Sequence, residues 1–395
     1  MRICIFTDSF LPYISGVTSA VCNQANELVR RGHSVSIFHP ALHKRDQGHA
    51  AAGLDPSISL HALPLSIPMR NVPKLRVTVP LFLGTYRRLK KSPPDLIHCH
   101  TEWGCGLEGS LLGRRMKVPV IGTFHTFFAE PEYMKQLNLP SWSIVQKATW
   151  KYSVTFFNRC QRVICPSESV HTHLLDKGLS SEATVLSNGI ERVNIRPWHE
   201  IEELRRSLGI DDFAFVYVGR ISPEKSMAVA LEAFAKTRQA NPKARFVIVG
   251  SGPSDDDVDS KVRSLGLQDA VVRTGRIERD VLMDKNYPLL GDAFVTASKT
   301  ENQPISILEA MAFGLPLIGP KAKGIPELIS HEDNGFIFAP DNVDEMAAHM
   351  STLMADRDRC RAMGQRSLEI AENHQMDRIG ERVEAIYEEA IAEVR

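Results

Sequence analysis

Two carboxylates eight positions apart, Glu301 and Glu309, carry the strongest chemical signal in this chain. Glu309 interrupts the apolar run Ile305, Ile307, Leu308, Ala310, Met311 and Ala312, where an uncompensated charge is costly. A bound ligand is therefore the expected partner of Glu309. Pro304 suits a first helical position, so Ser306 and Glu309 are expected in the opening turns and Glu301 on the loop before them. A loop, a helix N-terminus and two carboxylates together describe a place to hold a phosphorylated sugar.

Arg220 and Lys225 follow the apolar run Phe213 to Gly219, with Ser222 and Pro223 reading as a helix start. Two cations beside the positive end of a helix dipole are unfavourable until an anion arrives. A diphosphate at that spot gains charge-assisted hydrogen bonds worth about 1.5–3 kcal/mol each. The competing reading is a solvated surface turn at Glu224 and Lys225. His125 closes the run Val118 to Phe124, a strand-end position that reaches into a crevice; the plain alternative is a histidine satisfied within its own turn. Gly16 precedes the first long helix, and its missing side chain lets a phosphate approach backbone N–H groups. Asp255, Asp256, Asp257 and Asp259 have the look of a metal cluster, but after Gly250 to Ser254 they read as acids of a first helical turn, and no metal is expected. His98, His100 and Glu102 read as part of a turn rather than as metal ligands.

These residues need a scaffold. Arg2 to Phe6, Val35 to Phe38, Asp95 to His98 and Val118 to Phe124 read as strands alternating with helical patterns, the first of them running through Val21, Ala25, Leu28 and Val29 to Gly32. After a turn-rich stretch the alternation restarts with Phe213 to Val218, Val247 to Gly250, Val271 to Thr274, Ala293 to Thr296 and Leu315 to Ile318. The class is α/β, with two Rossmann-like, doubly wound parallel sheets. The expected division is residues 1–186, a linker at 187–198, a second domain at 199–376, and a C-terminal helix at 377–395. That helix carries Ile379, Val383, Ile386, Tyr387, Ala390 and Ile391 on one face and is expected to pack back toward the first domain. Ligands of such a tandem are expected in an interdomain cleft, at the carboxyl ends of the strands.

A length of 395 residues fits two domains. The net charge of zero hides an asymmetry: residues 1–186 hold 21 Lys and Arg against 12 Asp and Glu, and residues 187–395 hold 26 against 35. A basic first half attracts anionic surfaces, and nucleic acid, acidic lipid headgroups and acidic polymers all qualify on charge alone. Arg70, Lys74, Arg76, Arg87, Arg88, Lys90 and Lys91 interleave with Val77, Val79, Leu81, Phe82 and Leu83, and Trp142 to Arg162 combines Trp150, Tyr152, Phe156 and Phe157 with Lys147, Lys151 and Arg159. Two readings stand for these stretches: a rest on a membrane surface, or basic outer faces of helices whose apolar sides are core. The seven cysteines form no Cys-x-x-Cys pair, which fits isolated thiols in a reducing compartment. Met1 to Asp8 is too short an apolar run for a signal peptide, and no segment approaches a membrane span, so a cytoplasmic location is expected.

The Gly16 loop, His125, Gly219-Arg220-x-x-x-x-Lys225, the Glu301 and Glu309 pair, and Leu308-Glu309-Ala310-Met311-Ala312-x-Gly314-x-Pro316 occur in this order over nearly the whole chain. Together they resemble the retaining glycosyltransferases of family four, and the first half is similar to bacterial glycolipid synthases. The resemblance implies the two-domain GT-B fold, a nucleotide diphosphate sugar of UDP or GDP type as donor, and no metal or other cofactor. It implies that Arg220 and Lys225 grip the donor diphosphate and stabilise the leaving nucleotide, while Glu309 accepts the ribose hydroxyls. By the same resemblance Glu301 faces the transferred sugar, His125 binds near its C6 hydroxyl, Gly16 lies by the phosphate, and Arg276 and Ile277 lie near the base. Asn302-Gln303-Pro304 stands where many relatives have a glycine-rich turn. Pro304 lacks an N–H, so Asn302, Gln303, Ile305 and Ser306 complete the expected donor set. Lys323-Gly324 likewise replaces a usual glycine pair.

The expected activity is transfer of a hexosyl group, with retention, from the nucleotide sugar to a hydroxyl acceptor. The basic and aromatic stretches favour a membrane lipid such as diacylglycerol or a phosphoinositide, with the N-terminal domain in peripheral contact with anionic membrane at its inner face. Nucleic acid is not expected as a partner. Fixed cations at the phosphate act mainly on the transition state, where negative charge builds on the leaving group and oxocarbenium character on the sugar. The alternatives are a GT-B sugar-nucleotide epimerase, which turns over donor without acceptor, and a non-catalytic sugar-nucleotide sensor. An NAD-dependent dehydrogenase is disfavoured because no Gly-x-Gly-x-x-Gly follows the first strand.

Overall fold

Apolar runs bounded by turn residues become short strands buried on both faces, as sheets covered by helices require. The computed structural model describes residues 1–13, 15–42, 53–69, 74–136, 140 and 142–394. They fall into two units, Met1–Gly189 with Met376–Arg395, and Ile190–Gln375.

The first unit runs β1 (Arg2–Phe6), α1 (Gly16–Arg30), β2 (Ser34–Pro40), β3 (Ser59–Leu63), β4 (Ser66–Pro68), β5 (Arg76–Thr78), α2 (Leu83–Lys91), β6 (Leu96–Cys99) and α3 (Gly104–Met116). It continues with β7 (Val120–Thr123), α4 (Pro131–Gln136), α5 (Ser143–Phe157), β8 (Arg162–Cys165), α6 (Glu168–Asp176) and β9 (Glu182–Val185). Seven of these strands form a parallel sheet in the order β3-β2-β1-β6-β7-β8-β9, while β4 and β5 pair antiparallel on their own. The strand order reverses between β1 and β6. Loops leaving the carboxyl ends of those two strands diverge to opposite faces of the sheet and open a crevice there.

The second unit runs α7 (Trp198–Ser207), β10 (Ala214–Val218), α8 (Met227–Thr237), β11 (Arg245–Val249), α9 (Asp255–Ser264), β12 (Val271–Gly275), α10 (Arg279–Asp284) and β13 (Ala293–Val295). It ends with α11 (Ile305–Ala312), β14 (Leu317–Pro320), β15 (Gly335–Phe338), α12 (Val343–Ala355) and α13 (Arg357–Ala371). Six parallel strands order as β12-β11-β10-β13-β14-β15, with the reversal between β10 and β13.

The last helix, α14 (Met376–Val394), belongs to the first unit. Its buried stripe of Met376, Ile379, Val383, Ile386, Tyr387 and Ala390 joins the core formed by Ile3, Ile5, Val21, Ala25 and Leu28. Each such aliphatic side chain removed from water contributes roughly 1.5–3 kcal/mol. Glu384 of the same helix pairs with Arg31 at 2.7 Å. Of residues 187–198, expected as linker, 187–189 go with the first unit and 190–198 with the second; Ile190 bridges to Gln375, and Trp198 already opens α7.

Several strands lie outside those expected. β3 and β9 are the sheet's edges and carry polar residues such as Ser59, His61, Glu182 and Thr184, which blur the apolar signal. In the basic and aromatic stretches, Arg70 lies outside the described residues. Trp150, Phe156 and Phe157 are core, whereas Leu81, Leu83, Trp142 and Ile144 are exposed. Among the described residues no helix is long and apolar enough to cross a membrane.

Candidate functional site

In the second unit the site residues leave the two strands that flank the reversal. The loop after β10 carries Arg220 and Lys225, and the loop after β13 carries Glu301 and Asn302. Gly250, with φ +142°, lets the chain after β11 cross this first loop closely: a Cβ there would sit 1.9 Å from the Gly219 carbonyl oxygen. The Tyr217 hydroxyl donates to the Arg220 carbonyl at 2.9 Å and fixes the loop from below.

The helix expected at Ser222 and Pro223 does not form there. Pro223–Lys225 is a single 3-10 turn, Ser226 then takes a left-handed conformation (φ +50°), and α8 begins only at Met227. Protein carboxylates balance the two cations. Arg220 Nη2 lies 3.1 Å from Glu224 Oε1, and Lys225 Nζ pairs with Glu301 Oε1 across 76 residues of chain. Burial works to raise the Glu224 pKa, but Lys225, the Ser222 hydroxyl and Arg220 overcome it and hold the carboxyl below its ordinary value. Glu224 is thus a buried ionised partner and not the solvated surface residue of the competing reading. The Ser298 hydroxyl donates to the Glu224 carbonyl at 3.3 Å and ties the two loops together.

Glu309 is buried on α11 among Ile307, Leu308, Ala310 and Met311, and its countercharge is also a protein group: Arg279, on the first turn of α10, pairs with Glu309 Oε1. The ligand expected as the partner of Glu309 is thus not needed to balance it, and Arg279 carries no local sign of this role because an arginine on a short polar helix does not show where it reaches. Pro304 is the N-cap of α11 and not its first helical residue, so Ile305 and Ser306 form the opening turn with the unpaired N–H groups that every helix start carries. Thr300 Oγ1, just before Glu301, is buried and has no hydrogen-bond partner among the described residues. Arg276 is exposed at the end of β12 and pairs with Glu278 at 3.2 Å; Ile277 packs against the core. Asp255 does sit in the first turn of α9, accepting from Gly252 N at 2.9 Å and from the Ser251 hydroxyl at 2.7 Å.

The first unit places its polar residues at the corresponding strand ends. Gly16 opens α1 behind the N-cap Ser15, whose hydroxyl accepts from Thr18 N at 3.2 Å, and a Cβ at Gly16 would meet nothing within 4 Å. Asp8, in the loop after β1, accepts from Thr78 N, the Thr101 hydroxyl and Cys105 N at 2.8, 2.9 and 2.9 Å. Burial raises its pKa, with those three donors acting the other way. His125 follows β7, and its Nε2 lies 2.9 Å from Nδ1 of His100, which follows β6. His98 Nδ1 lies 2.6 Å from the Tyr387 hydroxyl, and its Nε2 2.7 Å from that of Thr123. Burial lowers the pKa of His98 and of His125 to about 3 and that of His100 well below its ordinary value, so all three rings are neutral. Glu102 accepts from the Ser153 hydroxyl at 2.9 Å, and burial pushes its pKa up to about 7. A pocket within this unit is lined by His100, Thr123, His125, Ser187 and Asn188 together with Met376 and Val383.

Residues 14–192 match the family model Glycosyltransferase Family 4, and residues 200–369 match Glycosyl transferases group 1. An alpha-monoglucosyldiacylglycerol synthase of Streptococcus pneumoniae is 30% identical over 99% of this chain and 86% of its own length. A second protein of that name, from Acholeplasma laidlawii, is 27% identical over 89% of this chain and 87% of its own. The structure of Anabaena Alr3699/HepE in complex with UDP-glucose superposes with a TM-score of 0.80 at 20% identity, covering 98% of this chain and all of the other, a likeness of fold. With two parallel-sheet domains of GT-B type and these matches along nearly its whole length, the chain belongs to the family 4, group 1 glycosyltransferases.

Proposed function

We propose that this glycosyltransferase moves a hexosyl group from UDP-hexose, or its GDP counterpart, to the hydroxyl of a diacylglycerol-type lipid with retention of anomeric configuration. The carrying observation is the meeting of Lys225 and Glu301 beside Arg220 at the strand reversal of the second unit. The names of the Streptococcus and Acholeplasma relatives support the lipid acceptor.

In this reading Arg220 and Lys225 receive the donor diphosphate, to which a guanidinium and an ammonium offer charge-assisted hydrogen bonds. First-turn N–H groups of Ile305 and Ser306, with Asn302 and Gln303, supply further donors. Glu309, steadied by Arg279, accepts the ribose hydroxyls through its second oxygen, with Arg276 and Ile277 near the base. Glu301 faces the sugar, His125 meets its C6 hydroxyl, and Gly16 leaves room beside the phosphate.

As the bond from the anomeric carbon to the phosphate oxygen breaks, charge collects on that oxygen, where the two cations lower the barrier. The acceptor hydroxyl forms its new bond on the same face, and its proton leaves on the departing phosphate. No metal enters this scheme. Exposed Leu81, Leu83, Trp142 and Ile144 beside Arg87, Lys90, Lys91 and Lys147 suit an anionic membrane, at the inner face of which a cytoplasmic enzyme would meet its lipid.

The test incubates the full chain with UDP-glucose, UDP-galactose or GDP-mannose and dioleoylglycerol in mixed micelles, with product configuration read by NMR. An α-glycosyl lipid from one donor is expected. Donor turnover without acceptor would indicate the epimerase, and binding without turnover across a broad acceptor panel would indicate the sensor.

A further inference from the structure

Neutral imidazoles that share one hydrogen bond must choose which ring donates, and that choice fixes the character of both remaining nitrogens. His100 Nδ1 and His125 Nε2 lie 2.9 Å apart, with their rings 17° from parallel. If His125 donated, the His100 proton would sit on Nε2. That atom is buried and has no hydrogen-bond partner among the described residues. A buried N–H without an acceptor is rarer than an acceptor without a donor. The proton of His100 therefore belongs on Nδ1, which places the His125 proton on Nδ1 of its own ring.

The surroundings hold His100 in that state. The His98 ring packs against it with centroids 4.0 Å apart. His98 is itself held at both nitrogens, by the Tyr387 hydroxyl of α14 and by Thr123. Gln24 Nε2 donates to the Tyr387 hydroxyl at 3.4 Å, leaving that hydroxyl to donate to His98 Nδ1. Burial keeps both His100 and His125 uncharged.

We propose that His100 is a positioning residue for His125: its Nδ1–H donates to His125 Nε2 and holds that ring in one orientation and in the neutral, Nδ1-protonated tautomer. The inference rests on the reading of His125 as a contact of the transferred sugar. A neutral ring suits that place, since a cation beside a sugar gaining oxocarbenium character would raise the barrier, whereas a fixed uncharged donor recognises a hydroxyl without opposing the reaction.

The experiment compares wild type, His100→Asn, His100→Leu, His125→Ala and the His100→Leu/His125→Ala double variant as full chains. Long-range 1H–15N NMR of histidine-labelled protein reports the tautomer without substrate, with the His125 signals identified by their loss in His125→Ala. The asparagine amide can donate from close to the position of imidazole Nδ1. His100→Asn is therefore expected to keep the tautomer and stay within about threefold of the wild-type kcat, while His100→Leu loses about tenfold or more in UDP-glucose transfer to dioleoylglycerol. In the His125→Ala background, His100→Leu is expected to cost nothing further. A His125 proton on Nε2 in wild type overturns the proposal, as does an equal loss from His100→Leu with and without His125. Should His125→Ala transfer at the wild-type rate, the sugar contact itself is lost and the role of His100 with it, a failure separable from the others because the tautomer is read independently. If His100→Leu does not fold, the wild-type tautomer and the His100→Asn rescue still decide.

Discussion

The two units place their polar side chains at equivalent strand ends and satisfy them in opposite ways. The second unit uses charge against charge: Arg220 with Glu224, Lys225 with Glu301, Arg279 with Glu309. The first unit relies on uncharged donors: the rings of His98, His100 and His125 are neutral, Asp8 is held by two amides and a hydroxyl, and Glu102 by a serine. The contrast matches what each region would meet on the proposed reading. Half-buried ion pairs can take on a diphosphate without creating a lone buried charge. Neutral rings can discriminate hydroxyls while adding no field of their own.

The largest effect is expected at the cations. Lys225→Ala should lower kcat/KM for glycosyl transfer by about 10²–10³, the range seen when one charge-stabilising donor is removed from a transition state. Transfer at the wild-type rate would leave the charged side of the comparison without a catalytic meaning.

Next comes Glu102, whose raised pKa of about 7 means that the folded state holds a proton the unfolded chain, near 4.5, gives up. The associated stability is present below about pH 4.5 and is lost as pH rises through 7, an amount of about 3 kcal/mol. Glu102→Gln should thus be more stable than wild type at pH 8 and equal to it at pH 4, as read by denaturant unfolding. The buried histidines act with the opposite sign, losing stability as pH falls from 6.5 toward 3, and they are common to both proteins.

Arg279→Gln strands Glu309 in its apolar helix and should cost about 1–3 kcal/mol of stability. Adding Glu309→Gln should recover part of that while weakening UDP-sugar binding in calorimetry. Unchanged donor affinity in the double variant would separate Glu309 from the ribose.

The smallest effect sharpens the contrast most cleanly. Raising salt from about 0.05 to about 0.5 M should weaken UDP binding several-fold by screening the half-exposed cations. The factor lost in His125→Ala should be the same at both salts; a salt-dependent factor would place charge where the neutral rings are.

Much of this was legible in the chain. Runs such as Phe213 to Val218 and Val118 to Phe124 announced buried parallel strands, and their alternation with helices announced the α/β class. Lys225 and Glu301, both singled out by residue type and spacing, do meet at the strand reversal of the second unit. Edge strands β3 and β9 escaped because half-buried positions tolerate polar residues. A left-handed Ser226 displaced the helix start expected at Pro223, a conformation that local propensity does not encode for serine.

By itself the sequence determined which charged and polar residue types follow which apolar runs, because side-chain chemistry and local period are properties of neighbours along the chain. Only the tertiary structure decided who pairs with whom. Lys225 finds Glu301 because β10 lies beside β13, His100 finds His125 because β6 lies beside β7, and His98 finds Tyr387 across 289 residues because α14 packs on the first unit. Hydrogen bonds and ion pairs act over a few ångströms of space, and distance along the chain says almost nothing about them until the strand order is known.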